Sequence, residues 1–246
     1  MRPVVVRMLL GVMLTLAIPL ALGVRPATAA APSPPRTIAF SGYTWSVKSS
    51  AGKTGPGPNY FSNSANNVWV DGAGQLHMKI TRVKGRWYSA EIINQASLGQ
   101  GTYTWELASP VDNLDPYVVL GLFTWNDNPA YNHREIDIEF ARWGNALDPT
   151  NGQFTVQPWD TAGNLLRITQ APNVTVSTQS FTWGVDSVAF ASSGATPPTW
   201  SYTGADVPVP GGENARINLW LYNGHAPADG REVEIVIKSF TFTAAP

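Results

Sequence analysis

The stretch Asn67-Val68-Trp69-Val70-Asp71-Gly72-Ala73-Gly74-Gln75-Leu76-His77-Met78-Lys79-Ile80 decides the fold. Leu76, Met78 and Ile80 alternate with Gln75, His77 and Lys79, a period of two that puts one side of a strand in a core and the other in solvent. Ahead of it, Asp71-Gly72-Ala73-Gly74 supplies turn-formers, and Val68-Trp69-Val70 is β-branched and aromatic. The segment therefore reads strand, turn, strand. The same reading recurs at 101–107, 117–125, 135–140, 153–159, 181–190, 217–221 and 232–242, with turn clusters between. No window sustains an apolar 3.6-residue repeat for three turns. Many short strands without intervening helices predict an all-β chain, two antiparallel sheets packed as a sandwich.

Working outward, nothing from residue 37 to the end looks like a second linker, charge block or internal repeat, so 37–246 is expected to be one domain. The N-terminus differs. Arg2 and Arg7 precede an apolar run over 8–24, and Ala27-Thr28-Ala29 is a small-x-small cleavage pattern. That layout predicts a signal peptide over 1–29 and a secreted, extracellular product. A membrane span needs about 20 apolar residues; this run is shorter and contains Pro19, so no anchor is expected after cleavage. Residues 30–36, which include Ala31-Pro32-Ser33-Pro34-Pro35, read as a short extended linker.

Cleavage after Ala29 would remove three arginines and no acid, so the formal charge of −1 becomes −4. A mildly acidic surface does not suit nucleic acid, which asks for a basic one. The chain has no cysteine, so an exported domain must rely on packing. Ten tryptophans against only 13% charged residues exceed what a core of this size needs. About half are expected in the core, and the rest in a groove where flat rings suit sugar faces.

The chemistry is concentrated in His133-Arg134-Glu135-Ile136-Asp137-Ile138-Glu139-Phe140. On a strand, Glu135, Asp137 and Glu139 share one face and Ile136, Ile138 and Phe140 the other. Three carboxylates in a row repel unless protons or partners relieve them. Taken alone, the pattern reads as the polar outer face of a strand, and clustered carboxylates also suit a hard cation such as calcium. It suits glycoside cleavage as well. The α-carbons of Glu135 and Glu139 lie roughly 13 Å apart. Side chains leaning together would bring the carboxyls near the ~5–5.5 Å of a retaining glycosidase, one ionised to attack and one protonated to release the leaving oxygen.

Glu135-Ile136-Asp137-Ile138-Glu139 resembles the active-site signature of glycoside hydrolase family 16, in the uninterrupted spacing of its lichenase and xyloglucan-transglycosylase branch. Ala90-Glu91 followed by Gly99-Gln100-Gly101-Thr102-Tyr103, then Phe123-Thr124-Trp125 and Asn218-Leu219-Trp220, are similar to further family segments. In order and spacing the likeness runs from about Trp69 to Phe242. It implies a β-jelly roll, with Glu135 as nucleophile, Asp137 assisting and Glu139 as acid/base. It also implies Glu91, Asn218 and Trp220 in the cleft, with no cofactor and no catalytic metal. Strand parity adds Phe123 and Trp125; Gln153, Thr155, Gln157 and Trp159; and Asn218, Trp220 and Tyr222. Trp125 and Trp159 fit core packing equally well, and Trp69 and Trp87 are read as structural. This chain departs from the family pattern at three places. Ile93 stands where a cleft Arg usually follows the cleft Glu. His133 replaces a Trp, and is either a substrate contact or a surface histidine. Val236 occupies the place of a calcium-binding Asp. Arg134 is expected to turn away from the cleft and pair locally.

The expectation is a secreted, monomeric, retaining endo-glycosidase that hydrolyses internal β-1,3 or β-1,3-1,4 bonds of a polysaccharide. Transglycosylation on xyloglucan and a non-catalytic carbohydrate-binding sandwich are the alternatives.

Overall fold

The computed structural model describes residues 35–246. The signal-peptide expectation and all of the linker but its last two residues lie outside the described residues. Arg36 is already tied to the domain. Its guanidinium donates to the carbonyls of Asn63 and Val68, and its own carbonyl accepts from the Val47 N–H.

Seventeen strands occur among the described residues. In chain order they are β1 (Thr37–Phe40), β2 (Tyr43–Val47), β3 (Val68–Val70), β4 (Leu76–Val83), β5 (Arg86–Tyr88) and β6 (Ala90–Asn94). Next come β7 (Gly101–Leu107), β8 (Val118–Trp125), β9 (Ile136–Phe140), β10 (Gly152–Val156), β11 (Leu165–Gln170) and β12 (Ser177–Trp183). The last are β13 (Val188–Ser192), β14 (Ala195–Thr196), β15 (Thr199–Tyr202), β16 (Asn214–Leu221) and β17 (Val233–Ala244). One sheet has nine strands in the order β1-β2-β6-β16-β8-β9-β10-β11-β14; the other runs β15-β13-β12-β7-β17-β4-β3, with β5 beside β4. The strand ladders are antiparallel, and the two sheets form the expected sandwich.

Alternation builds the core. Ile136, Ile138 and Phe140 are fully buried. Leu120 and Leu122 lie opposite Phe140 and Ile138 on β8, and Phe154 and Val156 opposite Ile138 and Ile136 on β10. Aromatic contacts knit the sheets together: Trp45 meets Phe240 edge-on at 5.3 Å, and Phe154 stacks on Phe190 at 5.0 Å. Burying each such ring contributes about 1.5–3 kcal/mol. Trp45, Trp105 and Trp183 are wholly interior; the indoles of Trp45 and Trp183 donate to the carbonyls of Phe40 and Pro208.

Two strand expectations need correction. The 181–190 run is two strands, because Gly184 and Ser187 close a turn between Trp183 and Val188. The 153–159 run stops at Val156, since Pro158 has no N–H to continue the ladder. Parity therefore fails beyond Val156.

Candidate functional site

The core-facing register dictates the other face. Glu139 is opposite Gly121 on β8 and Gln153 on β10; Asp137 is opposite Phe123 and Thr155. One strand further, Asn218 lies opposite Gly121 and Arg216 opposite Phe123, and on β6 Glu91 lies opposite Asn218 and Ile93 opposite Arg216. These side chains form a grid on the outer face of the nine-stranded sheet. It floors a cavity of about 550 Å³ lined by Glu135, Asp137, Glu139, Glu91, Phe123, Trp125, Arg216, Asn218 and Trp220 among others, a size suited to a small-molecule or oligosaccharide segment. Loop residues 54–56 and Lys48 complete the wall.

Glu135 sits just ahead of β9 and still has extended backbone. Before it, Tyr131, Asn132, His133 and Arg134 all have φ between +50° and +60°, a left-handed turn that L-residues adopt at a cost. Its neighbours hold it. Arg134, buried, donates to the Val209 carbonyl at 2.7 Å, and its own carbonyl accepts from Thr124 at 2.8 Å. Arg134 thus turns from the cleft and pairs locally as expected, with the Ala130 carbonyl at 3.4 Å and over the Tyr131 ring at 5.1 Å, while its shortest bond, to Val209, reaches far along the chain. His133 stacks flat on Trp125, 4.0 Å between centroids, and its Nδ1 bonds the Asn126 carbonyl at 2.9 Å. It backs a cleft residue and does not itself line the cavity.

Burial and mutual repulsion raise all three carboxyls of the trio. Burial first, then the Glu139 charge, push Glu135 up to about 8, opposed by a hydrogen bond from Asp137 and the Arg216 charge. Burial and the Glu135 charge hold Asp137 well above the ordinary aspartate range. Burial and the Asp137 charge push Glu139 up to about 8, opposed by Gln153 and Arg167. Gln153 Nε2 donates to Glu139 Oε2 at 2.9 Å and Gln157 Nε2 donates to Asp137 Oδ2 at 3.0 Å. With protons on Asp137 and Glu139, Asp137 donates to an ionised Glu135. The trio then offers one nucleophile and one acid. Among the described residues no group of three or more His, Cys, Asp and Glu is arranged to hold a metal ion.

Glu91 is buried but its charge is compensated: Lys48 Nζ reaches Oε2 at 2.7 Å and Arg216 Nη1 reaches Oε1 at 3.5 Å. Its main contacts are these cations, which it positions at the cleft edge. Asn218 Oδ1 and Trp220 Nε1 are buried without partners. An unsatisfied buried polar atom costs about 1–3 kcal/mol, and these two line the cavity where hydroxyls could satisfy them.

Other expected contacts fall elsewhere. Trp159 is 64% exposed and lies outside the cavity, because β10 has ended before it; only its backbone N–H takes part, donating to Gln157 Oε1 at 2.9 Å. Tyr222 packs edge-on against Trp143 at 5.5 Å and does not line the cavity. Trp69 stacks on His77 at 4.6 Å, away from the cleft. Lys48, Arg167, Trp143 and Arg216 were not predicted. Lys48, Arg167 and Arg216 come from strands or loops remote from the motif, Trp143 from the turn just after β9, and lone Lys, Arg or Trp residues carry no local signature.

The fold is that of the β-glucanases. A Bacillus licheniformis β-glucanase superposes with TM-score 0.63 at 19% identity, over 82% of this chain and 92% of that one. An immunostimulatory antigen and pseudo β-1,3-glucanase of Mycobacterium tuberculosis gives 0.60 at 23% identity, over 82% and 91%. A Bacteroides ovatus family 16 glycoside hydrolase, solved with a G4G4G3G product, gives 0.61 at 13% identity, over 81% and 94%. No protein-family model and no curated protein sequence matches the chain.

Proposed function

We propose that the protein is a secreted, retaining endo-glycosidase that hydrolyses internal β-1,3 or β-1,3-1,4 bonds of a glucan. The observation that carries this reading is the row Glu135, Asp137, Glu139 on the floor of an aromatic-lined cleft, buried side by side so that the three carboxyls cannot all be ionised together. Structural carboxylates on a solvated strand keep ordinary affinities, whereas a displacement mechanism needs one ionised and one protonated group. The Glu135 carboxylate attacks the anomeric carbon. Glu139 gives its proton to the departing oxygen, and later takes one from water to release the sugar. Asp137 donates to Glu135 and steadies its charge. The unpartnered Asn218 Oδ1 and Trp220 Nε1 bind hydroxyls, while Phe123 and Trp125 supply apolar faces for rings.

The β-glucanase fold supports a β-glucan as substrate, and the oligosaccharide product bound to the Bacteroides ovatus enzyme supports an extended cleft occupant. The pseudo-glucanase among the similar structures keeps a binding-only reading in view, in which the cleft holds glucan without turnover. The deciding experiment incubates the protein with lichenan, laminarin and xyloglucan, with and without added oligosaccharide acceptor. Proton NMR of the first-formed product reads the anomer. A β product from lichenan or laminarin is expected. An initial α product, or binding without release of reducing ends, would overturn the reading; acceptor-dependent products would make it a transglycosylase.

A further inference from the structure

Glu139 can act as an acid only if its proton sits on the oxygen that meets the substrate, and its surroundings decide which oxygen that is. Gln153 donates from Nε2 to Glu139 Oε2 at 2.9 Å and to Thr155 Oγ1 at 3.2 Å. A glutamine amide is free in principle to turn over and present its carbonyl instead. Here it is not. Gln153 Oε1 accepts from Arg167 Nη1 at 3.0 Å and from Trp143 Nε1 at 3.0 Å. Arginine and indole nitrogens are donors only, so a flipped amide would set its NH₂ against two other donors. Gln153 is 5% exposed, and water cannot relieve such a clash. All four hydrogen-bonding positions of the amide are filled in one orientation and no other.

We propose that Arg167 and Trp143, acting through Gln153, are positioning residues that keep the acid proton of Glu139 on Oε1. The inference rests on the glycosidase reading above. An oxygen that accepts from an amide N–H is the carbonyl oxygen of a neutral carboxyl, so the proton must occupy Oε1, the oxygen that Gln153 leaves free. When the C1–O bond of the substrate breaks, its electron pair stays on the leaving oxygen, which takes this proton. A Glu135 oxygen forms the new bond to C1. Glu139 is left as a carboxylate whose Oε2 still accepts from Gln153, and it regains its proton from the water that releases the sugar. Arg167 is itself fixed by Asp148 at 3.1 Å, Thr150 at 2.8 Å and the Ala141 carbonyl at 3.0 Å, so the lock extends to a rigid anchor. Gln157 repeats the device beside it: its Oε1 is held by the Trp159 N–H, and its Nε2 is thereby committed to Asp137.

The test is Gln153→Glu. It keeps an oxygen for Arg167 and Trp143 but turns an acceptor toward Glu139, drawing the proton to Oε2. On lichenan or laminarin kcat/KM should fall about 100-fold, the scale of a lost general acid. On a 2,4-dinitrophenyl glycoside of the same glucan, whose leaving group needs no proton, it should change less than about threefold, because acid help is dispensable there. Trp143→Phe, which removes one of the two locks, should show the same selectivity more weakly. An equal fall on both substrates, or none on either, would overturn the proposal. Carbon-13 NMR titration of the Glu139 carboxyl reads the contact without turnover. Gln153→Met should raise its pKa, and an unchanged titration would also overturn the proposal. Wild type that cleaves neither substrate would instead sink the glycosidase reading, with the titration still deciding the hydrogen bond.

Discussion

Arg216 lies directly across from Ile93 in the pairing of β16 with β6. The arginine that the family pattern would place two residues after Glu91 is absent from β6, and a guanidinium enters the same part of the cleft from the adjoining strand. It reaches Glu91 at 3.5 Å and Asp127 at 3.4 Å. Directly opposed residues on paired strands project to the same side with side chains about 5 Å apart, so a charge can change strands and keep its place.

This relation makes a swap informative. Arg216→Ile should weaken glucan binding, raising KM about tenfold, in line with the 1.5–3 kcal/mol of a charged hydrogen bond. Adding Ile93→Arg should recover most of the loss. Failure of the double variant to recover, with folding intact by circular dichroism, would show that the strand of origin matters.

Glu135→Gln and Glu139→Gln should each lower turnover by several orders of magnitude while glucan binding, read by calorimetry, stays nearly intact. Asp137→Asn should cost less, because Asp137 forms no bond to the sugar and an amide can still donate to Glu135. Ordinary turnover in Glu135→Gln would return the strand to a merely acidic surface.

The raised carboxyls also shape stability. Burial and mutual repulsion push Glu135 and Glu139 each up to about 8, against about 4.3 for an unfolded glutamate; because the carboxyls are coupled, one ionises first and the folded trio keeps the remaining proton. Between those limits the native state holds protons that the unfolded chain has lost, so stability falls as pH rises. The contribution is complete below about pH 4.3 and gone above about pH 8. Melting curves from pH 5 to 8 should show a declining Tm, and Glu139→Gln should flatten that decline and melt higher at pH 8. A stability gain of about 1 kcal/mol corresponds to about 2–4 °C in a domain of this size. Activity should be bell-shaped, its upper limb set by loss of the Glu139 proton; a rate independent of pH from 5 to 9 would contradict that role.

Gly121 faces Glu139 and Asn218 at the centre of the grid, and a Cβ there would collide with Asn218 Oδ1. Gly121→Ala should leave the sheet folded, since φ there is ordinary for a strand, but push the Asn218 amide aside. A fall of about tenfold or more in kcat/KM is expected, on the scale of one lost hydrogen bond to substrate. An unchanged rate would remove Asn218 from the substrate contacts.

What the sequence determined by itself is whatever period two controls. Ile136, Ile138 and Phe140 had to face the core once Glu135, Asp137 and Glu139 faced out, and the same parity placed Phe123, Trp125, Asn218 and Trp220 on the cleft side. Such relations are local, because alternation is a property of a single strand. It failed where the strand itself ended: Pro158 stops β10, so Trp159 lies exposed while Gln157 reaches Asp137 from beyond the ladder. Tertiary structure alone decided what neighbours each carboxyl. Arg167 on Gln153, Lys48 and Arg216 on Glu91, and Val209 on Arg134 are joined by sheet pairing or loop packing between segments apart in sequence, and Trp143 reaches Gln153 across the β9–β10 connection. Only the order of strands across the sheet sets those distances, and they govern which glutamate keeps its proton, because electrostatic interaction depends on separation and burial.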